Sequence, residues 1–421
     1  MIAISREARA RWKDYVLLML ALLAAYSAVW MFTDKTPWMH TVYCSYALQA
    51  KRWLSGHLDL GQDYPWLELA IYEGKYFVSF PPLPTLFVLP FVPLFGVDGT
   101  PEYLITTAVS LVGAIQLLRL FSLYCDDRRR ALAWALLATI GSNFLLIGYN
   151  GDVWLMAQTC AFMFTASALY YAATDAEKDG KWPLLWLACA VGCRPFNFVY
   201  LPLVAVLLIR KFKKNGLTVF DALKRHWAWL IAPACVGLAY MALNAARFDN
   251  PFQFGHDYLP EFTRSPDHLQ FSLSYIPENL RDKLFRLPVW SEGRLLFPKA
   301  GFAFFFTSPI YALGFVRLIE RVIRRRRGGA PLPVAPLAVA GVCVSVHLLA
   351  LCAHGSMGGI QWGLRYTIDA IPAVALGLAL MLDDRQEGGI TDFLLTPTLV
   401  FGLCLNLVGT LAILNDWPIF L

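Results

Sequence analysis

Carboxylates and arginines stand at the mouths of apolar stretches along this chain, in groupings that suit proton transfer and anion binding. The run "HLDLGQDYPWLE" (57–68) carries Asp59, Asp63 and Glu68, and Asp34 precedes it. "GYNGDVWLMAQ" (148–158) puts Asp152 at the head of an apolar segment. "RFDNPFQFGHDYLPEFTR" (247–264) holds Arg247, His256 and Asp257. "HGSMGGIQWGLRYTIDAIP" (354–372) holds Gln361, Arg365 and Asp369, and Arg194 lies beside Pro195 between two apolar halves. A carboxylate can take a proton from a hydroxyl. Arginine stays charged, and its planar fork makes paired bonds to phosphate. Together these groups suit a phosphate-bearing substrate that reacts with a hydroxyl.

Each position also has a plainer use. A loop acid is usually only solvated. Asp152 at a helix start can cap it, and Arg365 can snorkel to an interface. Asp369 sits four residues after Arg365 inside an apolar run, where an ion is costly and normally paired. An Arg365–Asp369 pair one helical turn apart is therefore expected whatever the function.

The elements that must position these groups are membrane helices. The chain has 421 residues, 57% hydrophobic and only 16% charged, whereas soluble domains carry about a quarter charged residues. Long apolar stretches recur, which predicts an all-α polytopic membrane protein in a single integral domain over 1–421. Candidate spans are 15–33, 103–124, 131–149, 153–173, 182–209, 227–245, 301–319, 332–353, 367–382 and 393–414. The break at "CRPFN" divides 182–209 into a hairpin of two short helices, so about eleven helices are expected. The nine cysteines sit mostly in apolar runs without a C-x-x-C spacing, and read as core residues. The first apolar run follows Arg6, Arg9, Arg11 and Lys13 and reads as an uncleaved span.

Charge sets the orientation. With residues 1–14 cytoplasmic and 77–96 dipping in from outside and returning, the Arg128–Arg130 triplet, the basic run 210–226 and Arg324–Arg327 all face the cytoplasm. That satisfies the positive-inside rule. Residues 34–102 then form a first extracytoplasmic loop with interfacial and re-entrant helices, and 246–300 a second large one. A rival folding makes 77–96 a full span and 182–209 one long helix, which puts the arginine triplet outside. In the favoured arrangement Lys75 and Tyr76 of "YEGKY" stand at headgroup level, where basic and tyrosine side chains are favoured. Prolines 81, 82 and 84 prevent a straight span. Irregular backbone at membrane depth needs a protein or water-filled lining, so a cavity is expected at the outer face.

No P-loop, dinucleotide glycine motif, H-E-x-x-H or G-x-S-x-G in context is present. Four stretches resemble the GT-C superfamily of membrane glycosyltransferases, which includes protein O-mannosyltransferases and aminoarabinose transferases. They are "YEGKYFVSFPPLP" (Tyr72–Pro84), "GCRP" (Gly192–Pro195), "RFDNPFQFGHDY" (Arg247–Tyr258) and "QWGLRYTIDAIP" (Gln361–Pro372). The resemblance covers nearly the whole chain and implies a bacterial cytoplasmic-membrane protein whose site faces away from the cytoplasm. It implies a polyprenyl-phosphate sugar donor, inversion at the sugar carbon, and a glycan, lipid or protein acceptor. No nucleic-acid partner is expected, no cofactor is required, and a divalent metal is left open. A carboxylate in the first outer loop would be the base, with a second acid after the third span, where Asp152 matches. Counting back from Gly56, the family's first aspartate falls near His40 and Thr41, where this chain has no acid. Another acid serves, or the reaction differs, or catalysis is lost. Candidate bases are thus Asp59, Glu68, Asp63, Asp34 and Asp152. Candidate substrate contacts are Arg365, Arg194, Lys75, Tyr76, Arg247, His256, Asp257 and Gln361. A lipid-linked sugar transporter or flippase component is the alternative. It would show paired broken helices in two repeats, whereas the sequence shows one clear break and no repeat.

Overall fold

The computed structural model describes residues 10–264, 269–291, 293–328, 331–382 and 389–421. Arg6 and Arg9 lie outside them. Helix α1 (Trp12–Met31) runs from one end of a helical bundle to the other. At its start the Asp14 carboxylate takes two bonds from Arg128, at 2.8 and 2.5 Å. Beyond α1 come α2 (Ser45–Leu54), a hairpin of β1 (Leu69–Tyr72) and β2 (Lys75–Val78), and two one-turn helices, α3 (Thr85–Val88) and α4 (Val92–Phe95). This layer begins and ends at the end of the bundle where α1 finishes. The segment 77–96 thus lies between the end of α1 and the next long helix, Glu102–Ser122, without a helix longer than four residues.

Two features differ from expectation. The fold is mostly helical but holds two short antiparallel hairpins, β1–β2 and β3 (Val289–Ser291) with β4 (Arg294–Leu296). At Glu73 and Gly74 φ is 50° and 73°, the two left-handed residues of a tight hairpin turn. The stretch 77–96 thus holds the last two residues of β2, then irregular chain and two one-turn helices, because Pro81, Pro82, Pro84, Pro90 and Pro93 leave no room for a long helix.

Helix α5 (Glu102–Ser122) returns, and the expected span 131–149 is two pieces, α6 (Arg128–Ala138) and α7 (Phe144–Ile147). Helix α8 (Val153–Ala173) follows and is buried along almost its whole length. It is apolar on every side, as a central helix must be, and its first turns carry Asp152, Trp154 and Gln158 into the site. The segment 182–209 is the expected hairpin. Helix α9 (Pro183–Cys193) and α10 (Leu201–Lys214) start and finish at one end, where Lys214 pairs with Asp175 at 2.5 Å and Lys211 donates to the Tyr171 carbonyl at 2.6 Å. Between them Arg194 is extended (φ −149°, ψ 107°), the backbone that a following proline favours.

Helices α11 (Val219–His226) and α12 (Ile231–Phe248) bring the chain back to the site end. Short helices α13 (Pro260–Thr263), α14 (Tyr275–Asn279) and α15 (Phe304–Thr307) lie in and after the second large loop. Helices α16 (Ile310–Arg326), α17 (Val334–Cys352), α18 (Ile371–Met381) and α19 (Ile390–Leu414) complete the bundle. Seven described helical segments are long and apolar enough to cross a membrane. The other expected spans are made of shorter pieces. Small residues let α19 approach closely, a common device where helices meet in lipid. A Cβ at Gly409 would stand 1.9 Å from the Trp362 ring, so glycine there seats the "QWGLR" stretch.

Two ends of unlike charge result. One gathers the starts of α5, α8 and α18 with the hairpin β1–β2. The other gathers Arg128–Arg130, Lys211, Lys214 and Arg324–Arg327. There Arg130 and Arg317 flank Asp392 at 3.7 and 3.8 Å, tying α6 and α16 to α19.

Candidate active site

Trp154, the second residue of α8, organises the first end. Its ring lies 4.7 Å from Tyr43 and 6.2 Å from Phe80, and its indole N–H donates to Glu68 Oε2 at 3.0 Å. The Arg365 guanidinium stands 6.0 Å from the same ring and 5.0 Å from Tyr366. Arg194 approaches Tyr366 from the α9–α10 break, at 5.2 Å. Tyr366 therefore has a guanidinium from each of two broken segments against it.

Asp369 fixes Arg194. Its Oδ2 lies 2.7 Å from Arg194 Nε, and its Oδ1 accepts from Gln158 at 3.0 Å. The contact with Arg194 is a close ion pair rather than an aligned hydrogen bond. The expected Arg365–Asp369 pair is not the one formed. Residues Arg365–Ala370 wind as a tighter three-residue turn, so positions four apart do not share a face. Among the described residues, no protein group accepts from Nη1 or Nη2 of Arg194. Arg365 Nη2 makes one long bond, 3.4 Å, to the Tyr366 hydroxyl. Free donors on two guanidiniums around one ring can hold an anion.

A second cluster gathers at the starts of α5 and α8. Asp152 accepts from the Thr41 hydroxyl, and the Thr41 N–H points at Glu102 Oε2, 3.4 Å away. Glu102 is 1% exposed, and its Oε1 has no hydrogen-bond partner. It backs directly onto Gly151, where a Cβ would meet its side chain at 2.7 Å. Burial holds the Asp152 carboxyl above its ordinary value, opposed by the Thr41 hydroxyl and by the charges of Lys35 and Arg365. Burial also lowers His256, with a backbone bond to Ser79 opposing and Arg194 reinforcing, so it is neutral at pH 7. The His256 ring meets Phe80 at 6.1 Å.

The structure thus brings together Arg194, Arg365, Asp152, Glu68 and His256 of the residues singled out from sequence. The rest stand apart. Asp59 turns its Oδ2 to the Gly61 N–H at 2.8 Å and pairs with Arg52 at 3.4 Å, which is loop bracing. Asp34, Asp63, Lys75 and Asp257 are exposed, and Asp257 accepts from Gln253 at 3.2 Å. Tyr76 is half-buried in the hairpin, its carbonyl accepting from the Leu60 N–H at 2.7 Å. Arg247 is buried and donates to the Val78 carbonyl at 3.1 Å and to Asn244 at 2.7 Å, so it anchors β2 to α12. Gln361 is buried too, and bonds the Met357 carbonyl and the Arg365 N–H at 2.9 and 3.0 Å. It shapes the turn that presents Arg365.

Sequence reasoning missed Trp154, Tyr366, Gln158 and Glu102. Glu102 had a signal, an acid directly after Pro101 at the head of an apolar run. Among the described residues no three His, Cys, Asp or Glu side chains group as metal ligands.

No protein-family profile matches the sequence, and no curated protein matches it. Solved structures do. ArnT from Cupriavidus metallidurans in the apo state aligns over 96% of this chain and 77% of that one, at 12% identity and TM-score 0.54. ArnT bound to undecaprenyl phosphate aligns over 96% and 78%, at 12% identity and TM-score 0.52. The archaeal oligosaccharyltransferase AglB from Archaeoglobus fulgidus, in complex with an inhibitory peptide and a dolichol-phosphate, aligns over 96% of this chain but 56% of its own, at 10% identity and TM-score 0.50. This chain therefore spans little more than half of AglB. The shared architecture is the GT-C fold.

Proposed function

We propose that this chain is a membrane glycosyltransferase that takes its sugar from a polyprenyl-phosphate donor. The observation that carries the reading is the pair of guanidiniums, Arg194 and Arg365, set around Tyr366 within reach of a half-buried acid, Asp152. Structures sharing the fold were solved with undecaprenyl phosphate and with a dolichol-phosphate, which supports a lipid phosphate as the anion. In this reading the two arginines hold the donor phosphate. Asp152 takes the proton from an acceptor hydroxyl as its oxygen bonds to the anomeric carbon. The carbon–oxygen bond to phosphate breaks on the opposite side, the configuration inverts, and the lipid phosphate leaves with the bonding pair. Thr41 occupies the place of the missing aspartate and orients Asp152 instead.

The chain crosses the membrane about eleven times when the short pieces are counted, and its basic end faces the cytoplasm. A cysteine at Arg129, in a background stripped of native cysteines, then resists an impermeant thiol reagent on intact cells. A cysteine at Trp66 reacts. The reverse pattern would put the site in the cytoplasm.

One observation favours the flippase alternative. Two discontinuous segments, 194–200 and 365–370, meet at the Arg194–Asp369 pair, as half-helices do in transporters. The fate of the donor separates the two. Purified protein given a panel of polyprenyl-phosphate sugars and acceptors releases free lipid phosphate if it is a transferase. Intact donor recovered from both leaflets, without release, would establish transport instead.

A further inference from the structure

A separate recess of about 410 Å³ is lined by His40, Val42 and Tyr43, the residues flanking Thr41. We propose, resting on the transferase reading, that it takes the apolar body of a membrane-resident acceptor bearing a hydroxyl. Its size lies in the range of small-ligand pockets, roughly 300–1,000 Å³. Tyr43, Tyr64 and Trp66 wall it with Val42, Cys44 and Leu48, and its lining holds one imidazole, His40, and one carboxylate, Asp98. It contains no lysine or arginine to draw a phosphate.

The walls are held before any ligand arrives. Trp66 Nε1 donates to the Val42 carbonyl at 3.2 Å, Tyr64 meets the Trp66 ring edge-on at 5.7 Å, and Tyr43 packs on Trp154. The recess is joined to the acid by one short stretch of backbone. His40 and Tyr43 line it, and the Tyr43 N–H donates at 3.1 Å to the same Thr41 oxygen whose proton is given to Asp152. Arg365 stands against Trp154 from the α18 side. Trp154 therefore touches both Arg365 of the proposed phosphate site and Tyr43 of the recess wall, and in this proposal Asp152 receives the proton of a hydroxyl brought from the recess to the sugar.

The apolar character selects the occupant. Val42 is 62% and Trp66 59% exposed, and Trp38 and Leu54 are exposed nearby in the same loop. Exposed apolar side chains at the outer end of a membrane bundle mark contact with the bilayer interface. A soluble glycan would find few polar partners here. A lipid alcohol could enter from the membrane and present its hydroxyl to Thr41 and Asp152.

The test uses the full chain in nanodiscs with a long-chain alcohol bearing a photoreactive diazirine. Peptides covering 40–48 and 64–66 are expected to carry label that excess unmodified fatty alcohol competes away. Val42→Trp and Leu48→Trp, which fill the recess from two sides, each lower that label several-fold and leave undecaprenyl phosphate binding unchanged. The first variant alters an exposed side chain, which guards against a folding failure in the second. Label that persists in both folded variants overturns the proposal. So does competition by cellobiose, which would make the occupant a polar glycan, or by undecaprenyl phosphate, which would make it the donor's tail. If the unmodified protein binds no undecaprenyl phosphate at all, the transferase reading fails and the acceptor role fails with it. Loss of label alone leaves the donor site standing.

Discussion

Asp152→Asn lowers turnover about 10²- to 10⁴-fold, the range for removing a general base, while affinity for undecaprenyl phosphate stays almost unchanged. Asparagine keeps the shape and can still accept from Thr41, but it cannot take a proton. The donor phosphate contacts are on other segments, so binding and turnover separate. The pH dependence has a definite sign. A base works in its deprotonated form, and burial raises the Asp152 pKa above the ordinary carboxylate value. Turnover therefore falls as pH drops through that raised value, at higher pH than an exposed aspartate would give. The acid limb disappears in Asp152→Asn. Glu68→Gln retains the oxygen that accepts from Trp154 and changes turnover little. Asp59→Asn loosens the loop held to Arg52, lowering thermal stability rather than the catalytic step. A full loss of turnover in Glu68→Gln with parental turnover in Asp152→Asn would exchange the two roles.

Arg365→Lys weakens undecaprenyl phosphate binding by about 1.5–3 kcal/mol, the worth of hydrogen bonds to charged groups, or roughly 10- to 150-fold in Kd. Lysine keeps the charge but loses the planar fork and its stacking on aromatic rings. Arg365 is the cleaner probe of the two arginines because the Asp369 ion pair does not depend on it. Arg194→Ala would weaken binding and also strand Asp369, which is 1% exposed. Uncompensated buried charge commonly costs about 3–5 kcal/mol, so that variant unfolds at lower temperature as well. Lys75→Ala, at the exposed tip of the hairpin, serves as the control and leaves affinity unchanged. Titration of undecaprenyl phosphate by isothermal calorimetry in nanodiscs reads all three, and parental affinity in folded Arg365→Lys would remove Arg365 from the site.

Much of this architecture was legible because membrane helices must satisfy their own backbone, and so announce themselves as apolar runs. The breaks in 77–96 and at Arg194–Pro195 were legible from proline. Without a backbone donor it forces a break, and breaks are stored where a cavity is wanted. The β1–β2 hairpin was hidden by that same reading, since Glu73–Gly74 signals a tight turn only when the flanking residues are taken as strands. The arginines of the site stood out because charge beside apolar sequence is costly without a partner. Their partners did not. Arg194 reaches Asp369 across 175 positions of sequence, a pairing set by how α9 and the turn before α18 both pack on α8. Among the acids, sequence could not separate Asp59 from Asp152. Both follow apolar or loop residues, and only the fold shows one bracing Arg52 and the other held by Thr41. Trp154 carried no signal at all, because an aromatic ring in an apolar run is ordinary.

The most direct test is a cryo-EM structure of the protein in nanodiscs with undecaprenyl phosphate. The account predicts phosphate density within hydrogen-bonding distance of both Arg194 and Arg365, beside Tyr366. Phosphate density seated instead at the basic end, against Lys211 and Lys214, or within the recess walled by Tyr43 and Trp66, would contradict it.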